Sequence, residues 1–301
     1  MAIQLWIDDG DPWYLSPDIW VVPGDDPNSA IGVPVVNEPA YVWARAHNRG
    51  TATVTNATVR YYWANPSMVI TPSNSTLIGT SFVSLLPGET KDVLCLTPWT
   101  PVWVNDGHEC LIAEAFHASD PLPPRGLNDP FDPPNDRHVA QLNLGVALAL
   151  ARMQMVIHCF AAGNAARLGT AEVTLRARRA PIETLARLKG NLGLRRVPAE
   201  MGEIKEFGLQ PFRCGEQIEG IGKPQLALRL KPGEQRGLAL AIKLPKQRDP
   251  KAGALFLVEE FVRDKVVGGI GALVLPEADE ANHPETEETK QHNQERRDSD
   301  A

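Results

Sequence analysis

Apolar and polar residues alternate along 40-AYVWARAHN-48, the alternation breaks at Asn48-Arg49-Gly50, and it resumes through 57-ATVRYYWA-64. A period of two sends successive side chains to opposite faces of a strand. The stretch therefore predicts two strands joined by a turn, a hairpin carrying Trp43, Tyr61 and Trp63. Asn48 and Gly50 are expected to supply the positive φ of that turn, and Trp43 and Trp63 to fill the space between sheets or cover its edge. Strand-like runs of the same kind occur at 18–22, 77–85, 90–99, 108–116 and 138–150, with turn residues such as Pro23-Gly24-Asp25 and Leu86-Pro87-Gly88-Glu89 between them. Seven or so short strands without a helical period predict an antiparallel β-sandwich.

The pattern continues less cleanly through 153–161 and 170–178. Two strands are expected around Pro232-Gly233-Glu234 in 225–245, and a closing hairpin in 254–275 turning near Arg263-Asp264-Lys265. Proline at 181 and glycine at 190 bracket one short helix. The Pro-Gly-Glu turn appears in both halves, which points to two related sandwiches in tandem. The expected fold is all-β: two tandem antiparallel immunoglobulin-like sandwiches, with one short helix in the second.

Charge sharpens the division. Residues 1–150 hold 6 Lys/Arg against 16 Asp/Glu, net −10, and all seven tryptophans. Residues 151–276 hold 21 against 12, net +9, and residues 277–301 hold 3 against 9, net −6. The expected units are an acidic sandwich 1–150, a basic sandwich 151–276 that folds separately from it, and a tail 277–301. The tail lacks Val, Ile, Leu, Met and aromatic residues, so it is expected to be disordered. No apolar run reaches the roughly 18 residues a membrane span needs. The start, MAIQLWIDDGDPW, has no basic n-region or cleavage site; the expectation is a cytoplasmic address or a signal-independent export route. Four dispersed cysteines predict buried thiols, with Cys95 and Cys110 the one pair placed for a disulfide.

Ser16-Pro17-Asp18-Ile19-Trp20-Val21, the stretch 42–67 with Asn48, Arg49, Gly50, Val59, Tyr61 and Tyr62, Leu86-Pro87-Gly88-Glu89, and 135-NDRHVAQLNLGV-146 together carry a likeness. Over about 1–150 the chain resembles the bacterial immunoglobulin-like modules similar to cell-adhesion-related (CARDB-like) domains; residues 151–276 resemble a second such sandwich. The resemblance implies a non-catalytic accessory module, often attached to exported peptidases and surface proteins, and so an extracellular address.

No nucleophile elbow, Walker loop, HExxH or dinucleotide fingerprint occurs, and no enzymatic activity is expected. Three clusters carry candidate chemistry. The loop 117-HASDPLPPRGLNDPFDPPNDR-137 is long and holds six prolines, which favours a stiffened contact loop. Its candidate binding residues are His117, Asp120, Arg125, Phe131, Asp136 and His138. No cofactor is expected; the alternative is a divalent metal held by His117, His138 and Asp136, in a metal-binding protein or metal-dependent enzyme. A second set, Asp8, Asp9, Asp11, Asp18, Asp25 and Asp26, offers oxygen ligands for calcium or ordinary turn and cap roles. Third, 176–196 holds seven Lys/Arg in 21 residues. Nucleic acid is the alternative partner there, but no aromatics interleave for stacking. The expected partner is another protein, or a second copy of the chain, in a charge-assisted contact.

Overall fold

A computed structural model describes residues 2–102, 110–149, 153–164, 169–194, 197–201, 204–213, 216–218, 220–246, 249 and 251–276. The tail 277–301 lies outside the described residues. The first sandwich pairs two four-stranded sheets. One holds β1 (Leu5–Trp6), β2 (Ile19–Pro23), β3 (Ala40–Asn48) and β6 (Thr90–Leu94); β1 and β2 share one edge of β3 and β6 takes the other. The second runs β5 (Ser75–Leu85), β4 (Val54–Ala64), β7 (Cys110–Phe116) and β8 (Val139–Leu142).

Strands β3 and β4 do not pair with each other. They lie in opposite sheets, so residues 48–52 form an arch over the sandwich end and not a hairpin turn. Alternation tells which face of a strand is buried but not which strand lies beside it. Neither Asn48 nor Gly50 adopts positive φ. Asn48 is buried, and its side-chain amide donates to Ala52 O (2.8 Å) and Leu86 O (3.1 Å) while its oxygen accepts Gly50 N–H (3.0 Å). Gly50 lies under the N-terminal segment: a Cβ there would stand 2.2 Å from Ala2 O. The tryptophan expectation also changes. On β3 the inward positions are Ala40, Val42, Ala44 and Ala46, while Trp43 faces outward, stacked on Trp20 (6.2 Å, 9°) with its N–H on Pro27 O. Trp63 packs, half-buried, against the core, and Tyr61 points inward with its hydroxyl on Val93 O (2.8 Å).

The second sandwich sets a three-stranded sheet, β10 (Met155–Gly163), β15 (Gln235–Lys243) and β13 (Phe207–Pro211), against a larger one. The larger runs β14 (Gln225–Leu230), β11 (Ala171–Arg179), β16 (Ala252–Val262), β17 (Lys265–Pro276) and β9 (Leu144–Ala149). A short β12 (Ala199–Glu200) adds to β16; this pairing and β17–β9 are parallel, a departure from the all-antiparallel expectation. The closing hairpin turns at Arg263-Asp264, both with positive φ as a two-residue loop requires. The helix, α1, covers Ile182–Leu188.

The two sandwiches repeat one device. Leu86-Pro87-Gly88-Glu89 and Lys231-Pro232-Gly233-Glu234 each connect strands of opposite sheets, β5 to β6 and β14 to β15. Gly88 and Gly233 are left-handed (φ 74° and 69°), which glycine alone adopts without strain. Each glutamate accepts the N–H three residues back, at 2.7 and 2.8 Å. Each glycine N–H donates to an asparagine carbonyl, Asn48 or Asn164, and each asparagine N–H returns to the glutamate carbonyl. The two turns thus share the same hydrogen bonds, as a tandem repeat of the sandwich predicts. Substituting Asn48→Ala removes three close bonds to partly buried backbone groups, so a loss of about 1–3 kcal/mol is expected in urea unfolding. A loss under about 0.5 kcal/mol, the size of an ordinary surface change, would show that the arch does not depend on it.

The charge break at 150/151 is not the structural boundary. The run 138–150 splits at Asn143 into β8 in the first sandwich and β9 in the second. The two halves also share a core. Tyr14, Leu15, Val42 and Tyr61 of the first belong to one buried cluster with Leu185, Leu188, Leu255, Leu257, Leu273 and Leu275 of the second. Because α1 and the first sandwich cover the outer face of β16 and β17, those strands are buried on both faces. Their sequences accordingly read as nearly unbroken apolar runs. Cys95, in the first sheet's connection, and Cys110, on β7, are buried thiols outside any disulfide; they bond Thr97 O and Asn143 Oδ1, so the expected pair is not formed. No helix among the described residues is long and apolar enough to cross a membrane.

Candidate functional site

The proline-rich loop leaves β7 through a tight turn in which His117 and Asp120 exchange both backbone hydrogen bonds (3.1 and 2.9 Å). Asp120 is buried; one of its oxygens accepts Leu5 N–H (2.7 Å) and the other accepts Arg137. His138, also buried, places Nδ1 on Asp136 Oδ1 (2.8 Å) and Nε2 3.3 Å from Asp120 Oδ1, without hydrogen-bond alignment at the second contact. Arg125 spans the loop, donating to Glu114 Oε1 (2.5 Å), standing 3.3 Å from Asp136 Oδ2 and lying over the Phe131 ring (4.6 Å). Phe131 packs on Tyr62, whose hydroxyl donates to Glu114 Oε2 (3.1 Å). Burial alone would raise the Asp136 carboxyl. The hydrogen bonds and charge of His138, and then the charge of Arg125, hold it below the usual carboxylate range.

Five of the six candidate loop residues, all but His117, are thus brought into one buried network with Glu114 and Arg137. Neither was legible as a site residue: Glu114 lies inside an apolar strand, and Arg137 gave no signal beyond its charge. His117 does not join His138; its Nδ1 accepts Ser119 N–H of its own turn (3.1 Å). Among the described residues no three His, Cys, Asp or Glu side chains are arranged to hold a metal ion. Buried ion pairs of this kind add little net stability, since desolvation opposes the attraction; what the network fixes is one conformation of the loop, although Arg137 Nε and His138 Nε2 are left without hydrogen-bond partners among the described residues.

That conformation aims the loop tip at the second sandwich. Gly126 and Asp129 close a turn, Ser73 N–H donates to Leu127 O (2.9 Å), Ser73 Oγ donates to Asn128 Oδ1 (2.9 Å), and Phe131 N–H donates to Ile70 O (2.9 Å). The tip, with Thr71, Ser73 and Asn74 behind it, forms one wall of a cleft of about 640 Å³. The other wall is Gly163, Asn164 and the turn 232–235, the second copy of the arch. Leu127 is 73% exposed at the rim. Sequence reasoning found this wall as a stiff loop, but nothing in the sequence showed that the turn 232–235 faces it.

The other two clusters are largely spent inside the fold. Asp8 accepts Gly10 N–H, Asp18 accepts Asp8 N–H and meets His47 Nε2 (2.7 Å), and Asp26 accepts Asn28 N–H: turn and cap roles. Of the basic segment, Arg178 pairs with Glu259, Arg179 with Glu200 and Met201 O, and Arg187 with Asp11 across the seam, while Arg176 lies over Phe261. Arg195 and Arg196 lie outside the described residues. The Arg187–Asp11 pair is solvent-exposed, and such pairs contribute at most about 1 kcal/mol. That pair therefore does little to hold the seam.

Fold and site define an all-β chain of two fused immunoglobulin-like sandwiches with a cleft between them. No family model matches the chain, and no curated protein does. Among solved structures it is similar to the CARDB domain of a Pyrococcus furiosus protein in complex with di-metal ions: 20% identity, 47% of this chain and 90% of that one, TM-score 0.26. It is also similar to the CupB6 tip adhesin of Pseudomonas aeruginosa: 10% identity, 86% of this chain and 99% of that one, TM-score 0.25. The likeness to CARDB domains read from sequence is thus met again among solved structures, and at such scores it extends no further than the fold.

Proposed function

We propose that the protein is a non-catalytic accessory module that binds another protein, its contact surface being the tip of the proline-rich loop and the cleft beside it. One observation carries this reading: a largely buried network of charged groups fixes a surface loop whose tip displays an exposed leucine. Pre-ordering a contact loop removes part of the entropy cost of association, and an exposed apolar side chain on such a loop gains free energy when a partner covers it. The charged groups of the loop face one another and serve position, not proton transfer. An adhesion or assembly role follows naturally for a module of this kind.

The test compares three full-length baits in extracts of the source organism: wild type, Leu127→Asp, and Leu96→Asp, a control of matching exposure (74%) on another face. A partner bound by wild type and the Leu96 variant should be lost, by roughly tenfold or more in affinity, with Leu127→Asp. Equal recovery with all three baits, or a specific partner with none, would overturn the proposal.

A further inference from the structure

Strand β5 reads 75-STLIGTSFVSL-85, with no charged residue and no proline, and it pairs with β4 on one side only. In an antiparallel ladder, alternate residues of an edge strand turn N–H and C=O outward. Such an edge is a template for a further strand, which proteins ordinarily blunt with charge, proline, shortness or a cover. The other edges of this chain follow that rule. β6 carries Lys91 and Asp92, and β14 carries Arg229. Leu15 and Ser16 cover β8, Ser67 and Met68 cover β10, and Lys223 covers β13 beside Pro211. Among the described residues no main chain other than that of β4 bonds to β5. Its last two carbonyls are met by side chains, Ser84 O by Lys91 Nζ (2.8 Å) and Leu85 O by Asn48 (3.4 Å).

The side chains add to this. Ser81, Val83 and Leu85 are buried and inward, so Thr80, Phe82 and Ser84 face out, and Phe82 is 66% exposed. Ile78 is an extra residue opposite the Tyr61-Tyr62 step. Strict alternation past Gly79, which lies opposite inward Tyr61, would turn Leu77 toward the core. The bulge sets Leu77 opposite Tyr62 instead, on the outward face and 51% exposed. A bulge re-aims a side chain; this one turns an apolar side chain into solvent, which the folding of a single chain does not call for.

From this edge we infer that β5 pairs antiparallel with β5 of a second copy of the chain, about a two-fold axis near Gly79-Thr80, joining the four-stranded sheets of the two copies. Two features select a second copy over an unlike strand. β5 has no charge, so identical strands meet without repulsion. Leu77 and Phe82 flank the axis on one face, so the two-fold sets Phe82 of each copy beside Leu77 of the other. A contact between two such strands covers on the order of 1,000 Å² in total, the lower limit for a specific interface, which corresponds to a weak, reversible dimer. The two-fold of an antiparallel strand pair runs perpendicular to the sheet. Both proline-rich loops, each packed through Phe131 on the outward residues Ile112 and Val139, therefore lie on the same side of the joined sheet.

Sedimentation of the full-length protein over a range of concentrations reads the pairing. Wild type is expected to dimerise reversibly with a Kd of roughly 1–100 µM, nearly unchanged by salt because no ion pair holds the contact. Thr80 is exposed, so Thr80→Lys and Thr80→Glu should melt as wild type does. Each places like charges at the axis and should weaken the dimer by roughly tenfold or more, whereas an equimolar mixture of the two should dimerise again. Amide exchange along β5 should slow as concentration rises. A wild type that stays monomeric at about 1 mM, a dimer untouched by both charged variants, a mixture that stays monomeric, or protection that rises elsewhere than on β5 would each overturn the inference. Dimerisation only after removal of 277–301 would assign the edge to the tail and overturn it as well.

Discussion

Asn143→Leu is expected to lower the stability of the whole chain by about 2–6 kcal/mol, although leucine is close to asparagine in size and suits the apolar run around it. Asn143 is fully buried where β8 of one sandwich gives way to β9 of the other. Its side-chain amide donates to Ser67 O (3.0 Å) in the first half and Gly269 O (2.7 Å) in the second, and its oxygen accepts the Cys110 thiol. Its main chain repeats the link, N–H to Tyr14 O and C=O from Gly271 N–H, both at 2.9 Å. Leucine would leave two buried carbonyls unpaired at about 1–3 kcal/mol each. Urea unfolding followed by tryptophan fluorescence, which reports the first sandwich because all seven tryptophans precede residue 104, should show that half destabilised. A parallel loss in hydrogen-exchange protection on β16 and β17 should report the second. Loss in one half alone would mean that the shared cluster does not couple them.

What the sequence showed and hid follows from the physics of each signal. Alternation is a property of one strand, so β3, β4, β14, β15, β16 and β17 were legible close to their observed bounds. Sheet membership depends on distant partners, so of the short turns read from the sequence only the closing one, with its two-residue loop, joins strands that pair with each other. Asn48-Arg49-Gly50 resembles a hairpin turn because an arch needs the same small polar residues; what distinguishes it, the approach of Ala2 to Gly50, is a contact 48 positions apart. The run 138–150 carries His138, Gln141 and Asn143 among apolar residues, and nothing in the pattern marks the third as different, yet Asn143 is the seam itself. Charge composition placed the boundary a few residues late for the same reason: β9 carries no charge and so belongs to neither balance. The loop 117–137 stood out by length and proline content. Its histidines were grouped as the two ends of a loop between paired strands; β7 and β8 do pair, but the fold engages one histidine with buried carboxylates and the other with its own turn.

Glu260→Gln is expected to leave stability nearly unchanged near pH 4 and to raise it relative to wild type by about 4–5 kcal/mol above pH 8. Glu260 is fully buried on the inner face of β16, in line with Phe256 and Val258 of the second core. One oxygen accepts Gly163 N–H (3.2 Å) and the other has no hydrogen-bond partner. Burial pushes its pKa from the ordinary 4.5 up to about 8, against the opposing effect of that one N–H. The folded protein therefore keeps a proton that the unfolded chain gives up between pH 4.5 and 8. Unfolding releases it, and stability falls across this window by about 1.4 kcal/mol per unit until the buried group also ionises. Glutamine keeps the shape and the acceptor for Gly163 without the titration, so the gap between the two proteins should open from pH 5, level off above pH 8 and trace this one group. Urea midpoints at half-unit intervals from pH 4 to 9 would measure it, and a gap independent of pH would show that Glu260 is solvated in the folded chain.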